Sequence, residues 1–366
     1  MRVRRCSTGI SSTCKAYLTG SQESSQVPGR ALYIPSPAEP RTRSRTGRPA
    51  NDLGAADGAD GRAEVFQGSD FPATPTTGSR ILMPIDAARA LAADPRQGDI
   101  GWDHKDIQLY HLGLGAGLPA TDPEELRYTL ESKLHVLPSF ATVAGAGMAM
   151  LGGLAAPGIE VDLAHVLHGG HSIELHRPIP VTGRATSSSK VAAVYDKGKA
   201  AVIVLRSEVA DADGPLWTSD AQIFVRGEGG FGGERGPSVK GELPGRDPDR
   251  VEERHVREDQ GLLYRLSGDW NPLHADPEFA KLAGFDRPIL HGLCSYGMTL
   301  KAVVDTALGG DVSRVRTYRT RFAGIVFPGE TLRIRMWQET GRVLVSVTAV
   351  ERDDAPVLAD TVVEHS

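Results

Sequence analysis

What most constrains the fold of this chain is a succession of segments that occurs twice. A run rich in Gly, Ala and Met, suited to a buried helix, is followed by long runs of Val, Ile and Thr, residue types that favour strands. In the first half the helix candidate is 138–148, from Pro138 to Met148, and the later strands include 200–205 and 221–225. In the second half the helix candidate is 288–298, from Pro288 to Met298, with strands at 331–337 and 342–350. The turns match as well: Arg177 to Gly183 precedes one set of strands where Ala323 to Gly329 precedes the other. Such an order, met twice, marks an internal duplication. It predicts an α+β unit in which an antiparallel sheet wraps a helix. A lone unit would expose strand edges, and joining two into one sheet covers them.

The length of 366 residues and the apolar fraction of 40% are enough for two packed units. The expected boundaries are a disordered or low-complexity tail over 1–82, a first unit over 83–230, a Gly/Pro-rich linker over 231–250 and a second unit over 251–366. The tail is rich in Ser, Thr, Pro, Gly and Arg and has no sustained period of 2 or 3.6. Its basic, acid-poor opening resembles an organellar transit peptide. A solvated tail or an over-extended reading frame accounts for it better, and a more ordinary sequence begins at Met83. Residues 1–50 hold nine Lys/Arg and two acids, which leaves 32 basic and 44 acidic residues to the rest. An acidic body repels phosphates, so no nucleic-acid partner is expected. Cys6, Cys14 and Cys294 give no disulfide framework, which suits a reducing, cytoplasmic compartment. No apolar stretch reaches the roughly 18 to 20 residues that cross a bilayer, so no membrane association is expected.

Chemistry concentrates in 263–276. Asp269, Asn271 and His274 fall on an irregular loop there, because Asn271-Pro272 disfavours helix at its first residue. A carboxylate and an imidazole this close can share one water, one taking a proton while the other orients or delivers. The plain structural alternative is that Asp269 caps a turn and His274 satisfies a core hydrogen bond. Metal binding is a weaker reading, since no second His or Cys stands at zinc-like spacing within the loop, although Asp276 would add an oxygen. Downstream, Gly292 lies in the first turns of the second helix. There a free backbone N–H and the helix dipole can stabilise an anion on a carbonyl oxygen, and simple helix packing is the alternative.

Residues 264–274 (Tyr-Arg-Leu-Ser-Gly-Asp-Trp-Asn-Pro-Leu-His) and 283–294 (Ala-Gly-Phe-Asp-Arg-Pro-Ile-Leu-His-Gly-Leu-Cys) together closely resemble the hydratase 2 motif of the MaoC-like family. They are most similar to the (R)-specific hydratase unit of the peroxisomal multifunctional enzymes. The resemblance runs through 110–117 and Phe231-Gly-Gly to the C-terminal strands, from roughly residue 83 to 362. It implies a double hot-dog fold and syn addition of water to a trans-2-enoyl-CoA, giving a (3R)-3-hydroxyacyl-CoA. By this resemblance Asp269 and His274 activate the water and shuttle its proton, Asn271 positions the reacting groups, and the Gly292 N–H polarises the thioester carbonyl. The implied substrate contacts are His168, Gly169, Lys197, Trp270, Pro272, Leu273 and Phe322. An acyl-CoA is the expected small-molecule partner, a homodimer the expected assembly, and no metal or redox cofactor is required.

Lys197 suits a CoA phosphate, although an ordinary hairpin lysine would look the same. The first half has no counterpart of Asp-x-Asn-Pro-x-His, so it is expected to house the acyl chain in an apolar tunnel beside Ala144, Gly145, Ala146 and Gly147. Close helix-to-sheet packing is the alternative for those small residues. Gly113-Leu-Gly-Ala-Gly117 lacks Walker A and Rossmann spacing. A departure from the family is Gly170-His171, which adds an imidazole after His168-Gly169. The closing Val-Glu-His-Ser366 is no peroxisomal tripeptide, which favours a bacterial-type enzyme. The rival activities are dehydration of a (3R)-hydroxyacyl group on acyl carrier protein, and non-catalytic acyl-CoA binding. Asp269, Asn271 and His274 argue against the latter.

Overall fold

The computed structural model describes residues 85–144, 154–161, 165–237, 241 and 243–366. The expected tail, residues 145–148 of the first helix candidate and part of the linker lie outside them. Ten strands run β1 (Arg96–Trp102), β2 (Val166–Leu175), β3 (Gly183–Asp196), β4 (Ala200–Asp211), β5 (Gly214–Arg226), β6 (Arg250–His255), β7 (Val315–Phe322), β8 (Thr331–Glu339), β9 (Arg342–Ala349) and β10 (Ala355–His365). The helices are α1 (Ala87–Leu91), α2 (His104–Gly113), α3 (Pro123–Leu126), α4 (Gln260–Tyr264), α5 (Pro277–Leu282) and α6 (Gly292–Ala307).

All ten strands join one antiparallel sheet in the order β1-β3-β4-β5-β2-β7-β10-β9-β8-β6. The order reads the same from either end once each strand is matched with the one five places later. The duplication is thus visible as topology, and the halves meet where β2 pairs β7 from Gly170↔Arg321 to Glu174↔Thr317. This is the double hot-dog arrangement.

Alternation sets which face is buried. In β8, Leu332, Ile334 and Met336 turn inward and pack with Val343, Val345 and Val347 of β9 beneath α6. That helix is buried continuously from Cys294 to Val304, as a helix wrapped by a sheet must be. It is pinned to the central strand by Tyr296 and Tyr318, whose rings stack at 3.9 Å. Each hydroxyl donates to the other residue's carbonyl, at 2.9 and 3.0 Å.

Two expectations are corrected. The first helix candidate opens as a 3-10 turn, Pro138–Thr142, not as an α-helix. Pro138 starts it, no side chain caps it, and Thr142 Oγ1 donates to the Ser139 carbonyl at 2.8 Å, a local bond that competes with a regular helix. The second helix begins at Gly292 and not Pro288, because the backbone at His291 is extended (φ −57°, ψ 132°), while the Leu290 N–H bonds the Val326 carbonyl at 2.7 Å. After β5 the Gly-rich segment folds back on the β3–β4 hairpin, where the Asp196 carboxylate accepts the N–H groups of Gly198, Gly230 and Gly232.

His111 of α2 is fully buried, with Nδ1 donating to the Tyr128 carbonyl at 2.8 Å and Nε2 accepting the Leu137 N–H at 3.3 Å. One nitrogen gives and the other takes, so the ring is neutral, and burial pushes its pKa down to about 4. The unfolded chain takes up this proton near pH 6.5 and the folded chain does not, so stability falls as pH falls between the two values. The slope is about 1.4 kcal/mol per pH unit for each such imidazole, and buried His171 and His291 act in the same sense. Denaturant melts from pH 7 to pH 5 are expected to show this loss, with a shallower slope in His111→Leu. A stability independent of pH over that range would contradict the neutral buried rings.

Candidate active site

The motif loop leaves α4 through a 3-10 turn, Arg265–Ser267, which Gly268 closes at φ +116°. Asp269 Oδ1 then accepts the Asn271 N–H at 3.2 Å. Asn271 Oδ1 accepts the Leu273 N–H at 3.0 Å and so caps a second 3-10 turn, Pro272–His274, opened by Pro272. The loop is therefore more regular than the sequence suggested, and its own Asx bonds hold it. His274 Nδ1 donates to the Ile289 carbonyl at 2.9 Å. A carbonyl can only accept, so in the neutral ring Nε2 keeps its lone pair. The plain structural roles of Asp269 and His274 are thus both present. They occupy one carboxylate oxygen and one ring nitrogen, and leave the others for chemistry.

His291 completes the cluster. Its ring lies 3.8 Å from that of His274 with a 31° tilt, and its Nε2 donates to the Asp269 carbonyl at 3.2 Å. Donor atoms of Asp269, His274 and His291 all fall within 4.8 Å of one another. His291 is 1% exposed, and burial together with neighbouring His274 lowers its pKa to about 2. Burial also lowers the pKa of His274, against the pull of the Ile289 bond and the Asp269 charge. Both rings are neutral near pH 7. The motif loop is in this way tied to the residue that starts α6.

His291 is the N-cap of α6, and its side chain caps nothing. Gly292 is the first helical residue, and among the described residues its N–H has no recorded acceptor. The helix therefore presents an open, partly positive end next to the carboxylate–imidazole pair. A side chain at 292 would crowd Phe322, because a Cβ there would lie 3.1 Å from its Cε1. The Phe322 ring meets the His168 ring edge-on at 4.8 Å. Gly292, Phe322 and His168 thus form one continuous wall across the junction of the halves.

The other expected contacts are placed as follows. Trp270 is 52% exposed under the Arg265 guanidinium, 5.0 Å from its ring, and Pro272 is exposed beside it. The Leu273 carbonyl accepts the Ile289 N–H at 3.4 Å. Gly169 lies in β2 where the register against β5 shifts, and a Cβ there would stand 3.3 Å from Phe224 Cβ. Lys197 occupies the β3–β4 hairpin as expected, but its Nζ donates to the Arg235 and Pro237 carbonyls, and no contact joins it to the Asp269 cluster. Ala144 is buried in the main core, and Gly145, Ala146 and Gly147 lie outside the described residues.

His291 stands within the 283–294 motif, where its sequence position assigns it no task. Nothing in linear spacing shows that a helix cap stacks on a loop histidine. For a metal ion, the fold brings the second imidazole that the loop itself lacks. His274 Nδ1 and His291 Nε2 are already spent on carbonyls. His291 Nδ1 is buried without a partner among the described residues.

Two family models match the chain, a MaoC like domain over residues 239–355 and an MFE-2 hydratase 2 N-terminal domain over 101–227. The chain is 46% identical over 279 residues to enoyl-CoA hydratase ChsH3 of Mycobacterium tuberculosis, a match covering 76% of this chain and 98% of the relative. It is 40% identical over 269 residues to the peroxisomal enoyl-CoA hydratase 2 of Arabidopsis thaliana, covering 69% and 87%. The crystal structure of a MaoC-like dehydratase from Phytophthora capsici superposes with a TM-score of 0.70 at 30% identity, over 77% of this chain and 98% of that one. With both halves of the fold and the motif loop accounted for in this way, the chain belongs to the MaoC-like, hydratase 2 family of hydro-lyases.

Proposed function

We propose that the chain is an (R)-specific 2-enoyl-CoA hydratase that adds water syn across trans-2-enoyl-CoA to give (3R)-3-hydroxyacyl-CoA. The observation that carries this reading is a neutral imidazole with a free Nε2, set beside a carboxylate and next to an uncapped helix end. Water bridges the Asp269 carboxylate and His274 Nε2. His274 takes one of its protons as the oxygen bonds to C3, and the electrons of the C2–C3 double bond move onto the thioester oxygen. The Gly292 N–H and the α6 dipole hold that enolate oxygen. The imidazolium then returns its proton to C2. Taking and giving from one side of the substrate makes the addition syn.

Asn271 acts by capping the turn that carries His274. His168, Gly169 and Phe322 line the approach to the thioester, with Trp270, Pro272 and Leu273 at its rim. Lys197 reaches the CoA phosphates once it leaves the Arg235 and Pro237 carbonyls. Proton transfer and oxyanion stabilisation are both met by these groups, so the reaction runs without a metal or redox cofactor. The same reading carries a homodimer in a reducing, cytoplasmic compartment, consistent with the buried free thiol of Cys294. Among the described residues no helix is long and apolar enough to cross a membrane.

Hydration of crotonyl-CoA, with chiral analysis of the product, tests the activity. Asp269→Asn and His274→Ala are each expected to lose about 10²- to 10⁴-fold in kcat with folding kept. Near-parent rates in both would leave only acyl-CoA binding. Because His274 works as a neutral base with a lowered pKa, kcat/KM is expected to hold as pH falls from 8 and to drop only below about 6.5. An acid limb centred above pH 7 would assign the base elsewhere. Dialysis against a chelator is expected to leave kcat unchanged, and a loss restored by zinc would make the Asp269–His274–His291 cluster a metal centre.

A further inference from the structure

β2 carries His168-Gly-Gly-His171, whose second imidazole departs from the family motif and has no part in the steps above. Residues three apart on a regular strand point to opposite faces. Here the register against β5 shifts between His168 and Gly170, so the strand bulges and both imidazoles turn to the same side. Both bulge positions are crowded, and at 170 a side chain would force a shift. A Cβ at 169 would press on Phe224, and one at 170 would lie 2.9 Å from the Thr320 carbonyl across the junction.

The bulge assembles a hydrogen-bonded chain. His171 Nε2 lies 3.0 Å from Ser219 Oγ, and its Nδ1 lies 3.3 Å from His168 Nε2. The His168 ring also donates to the Gly170 backbone. With Nδ1 as the donor of that bond, the direction of the rest follows. His168 Nε2 must accept, so His171 donates from Nδ1, and His171 Nε2 accepts the Ser219 hydroxyl. Burial holds His168 near a pKa of about 4 and His171 below the ordinary value, so the chain is neutral throughout. Neither His168 nitrogen is left over for a substrate. What this ring offers is its edge-on contact with Phe322, and Phe322 is the wall against Gly292.

We propose that His171 is a positioning residue that locks His168, and through it Phe322, so that the Gly292 N–H stays aligned on the thioester oxygen. The proposal rests on the hydratase reading for its catalytic consequence. The locked geometry itself can be read without turnover. An oxyanion donor is effective only when its surroundings hold it in place beforehand, so loosening the lock is felt in the transition state more than in substrate binding.

The test compares His171→Leu, His171→Gln and Ser219→Ala with the parent on crotonyl-CoA. Leucine leaves His168 Nε2 without a donor, and kcat is expected to fall about tenfold with KM within about twofold. Glutamine can donate to His168 and accept from Ser219, and is expected to return kcat to within about twofold of the parent. Parent-like kcat in His171→Leu, a glutamine variant as slow as the leucine one, or a change confined to KM would overturn the proposal. Should His171→Leu not fold, Ser219→Ala decides. A kcat lowered about threefold is expected because His171 loses one anchor, and an unchanged kcat counts against the lock. Ring 15N shifts of the parent are expected to show His168 and His171 both protonated at Nδ1, and an Nε2–H tautomer at either position would refute the lock even in an active enzyme. A parent that does not hydrate crotonyl-CoA yet shows these tautomers would fail the hydratase reading and leave the lock standing.

Discussion

Two half-sheets meet at the β2–β7 ladder, and its five paired positions bring the first half's His168 and the second half's Phe322 to one place. Each half places its own strands by alternation and turn chemistry. The site needs one half to reach across to the other, and this ladder sets the strand offset between them, with bonds such as Lys301–Glu125 and Tyr128–Asp305 holding the helices across the same junction. A shift of one residue would send Tyr318 to the opposite face and release the paired tyrosine hydroxyls that pin α6. The helix end, the Gly292 N–H and the wall beside it all inherit their positions from that registration.

Around this frame the protein collects imidazoles and keeps them uncharged. His111, His168, His171, His274 and His291 are all held below the ordinary histidine pKa, with burial the first cause each time. Each also spends a nitrogen on a carbonyl, a hydroxyl or another ring. An imidazole is a compact way to bridge two backbone groups in a core, since it gives at one atom and takes at another. His274 and His291 differ from the others in that each keeps one nitrogen without a partner among the described residues, and that of His291 is buried. Catalytic capacity here is a structural histidine with one valence left open.

The strands could be read from sequence because the second-half runs alternate cleanly, with Leu332, Ile334 and Met336 facing in and Arg333 and Arg335 facing out. The repeated order also foretold one sheet covering both halves, and the Asn271-Pro272 break marked the loop that carries the Asp269–His274 pair. Other features resisted for physical reasons. The 138–142 segment has helical composition, but its proline start and a Thr-to-Ser bond make it a tight turn. His291 looked like part of a helix entry, and its stacking on His274 depends on how a loop and a helix pack, which no local pattern encodes. Lys197 sits in the hairpin where it was expected, yet two carbonyls hold its ammonium.

The bulge at Gly169 also changes how β2 should be counted. A strand sorts its residues into two faces by odd and even position, and a bulge lets two consecutive residues share one place in that sequence. Between His168 and His171 the strand therefore carries a residue that the alternation does not see. Shortening the chain there by one glycine would preserve which side chains face the core, since Ile173 and Leu175 keep their parity. Enlarging Gly170 would preserve length and press a Cβ against the Thr320 carbonyl across the junction. For this stretch, a comparison that penalises gaps more than substitutions would rank the harmless change as the severe one.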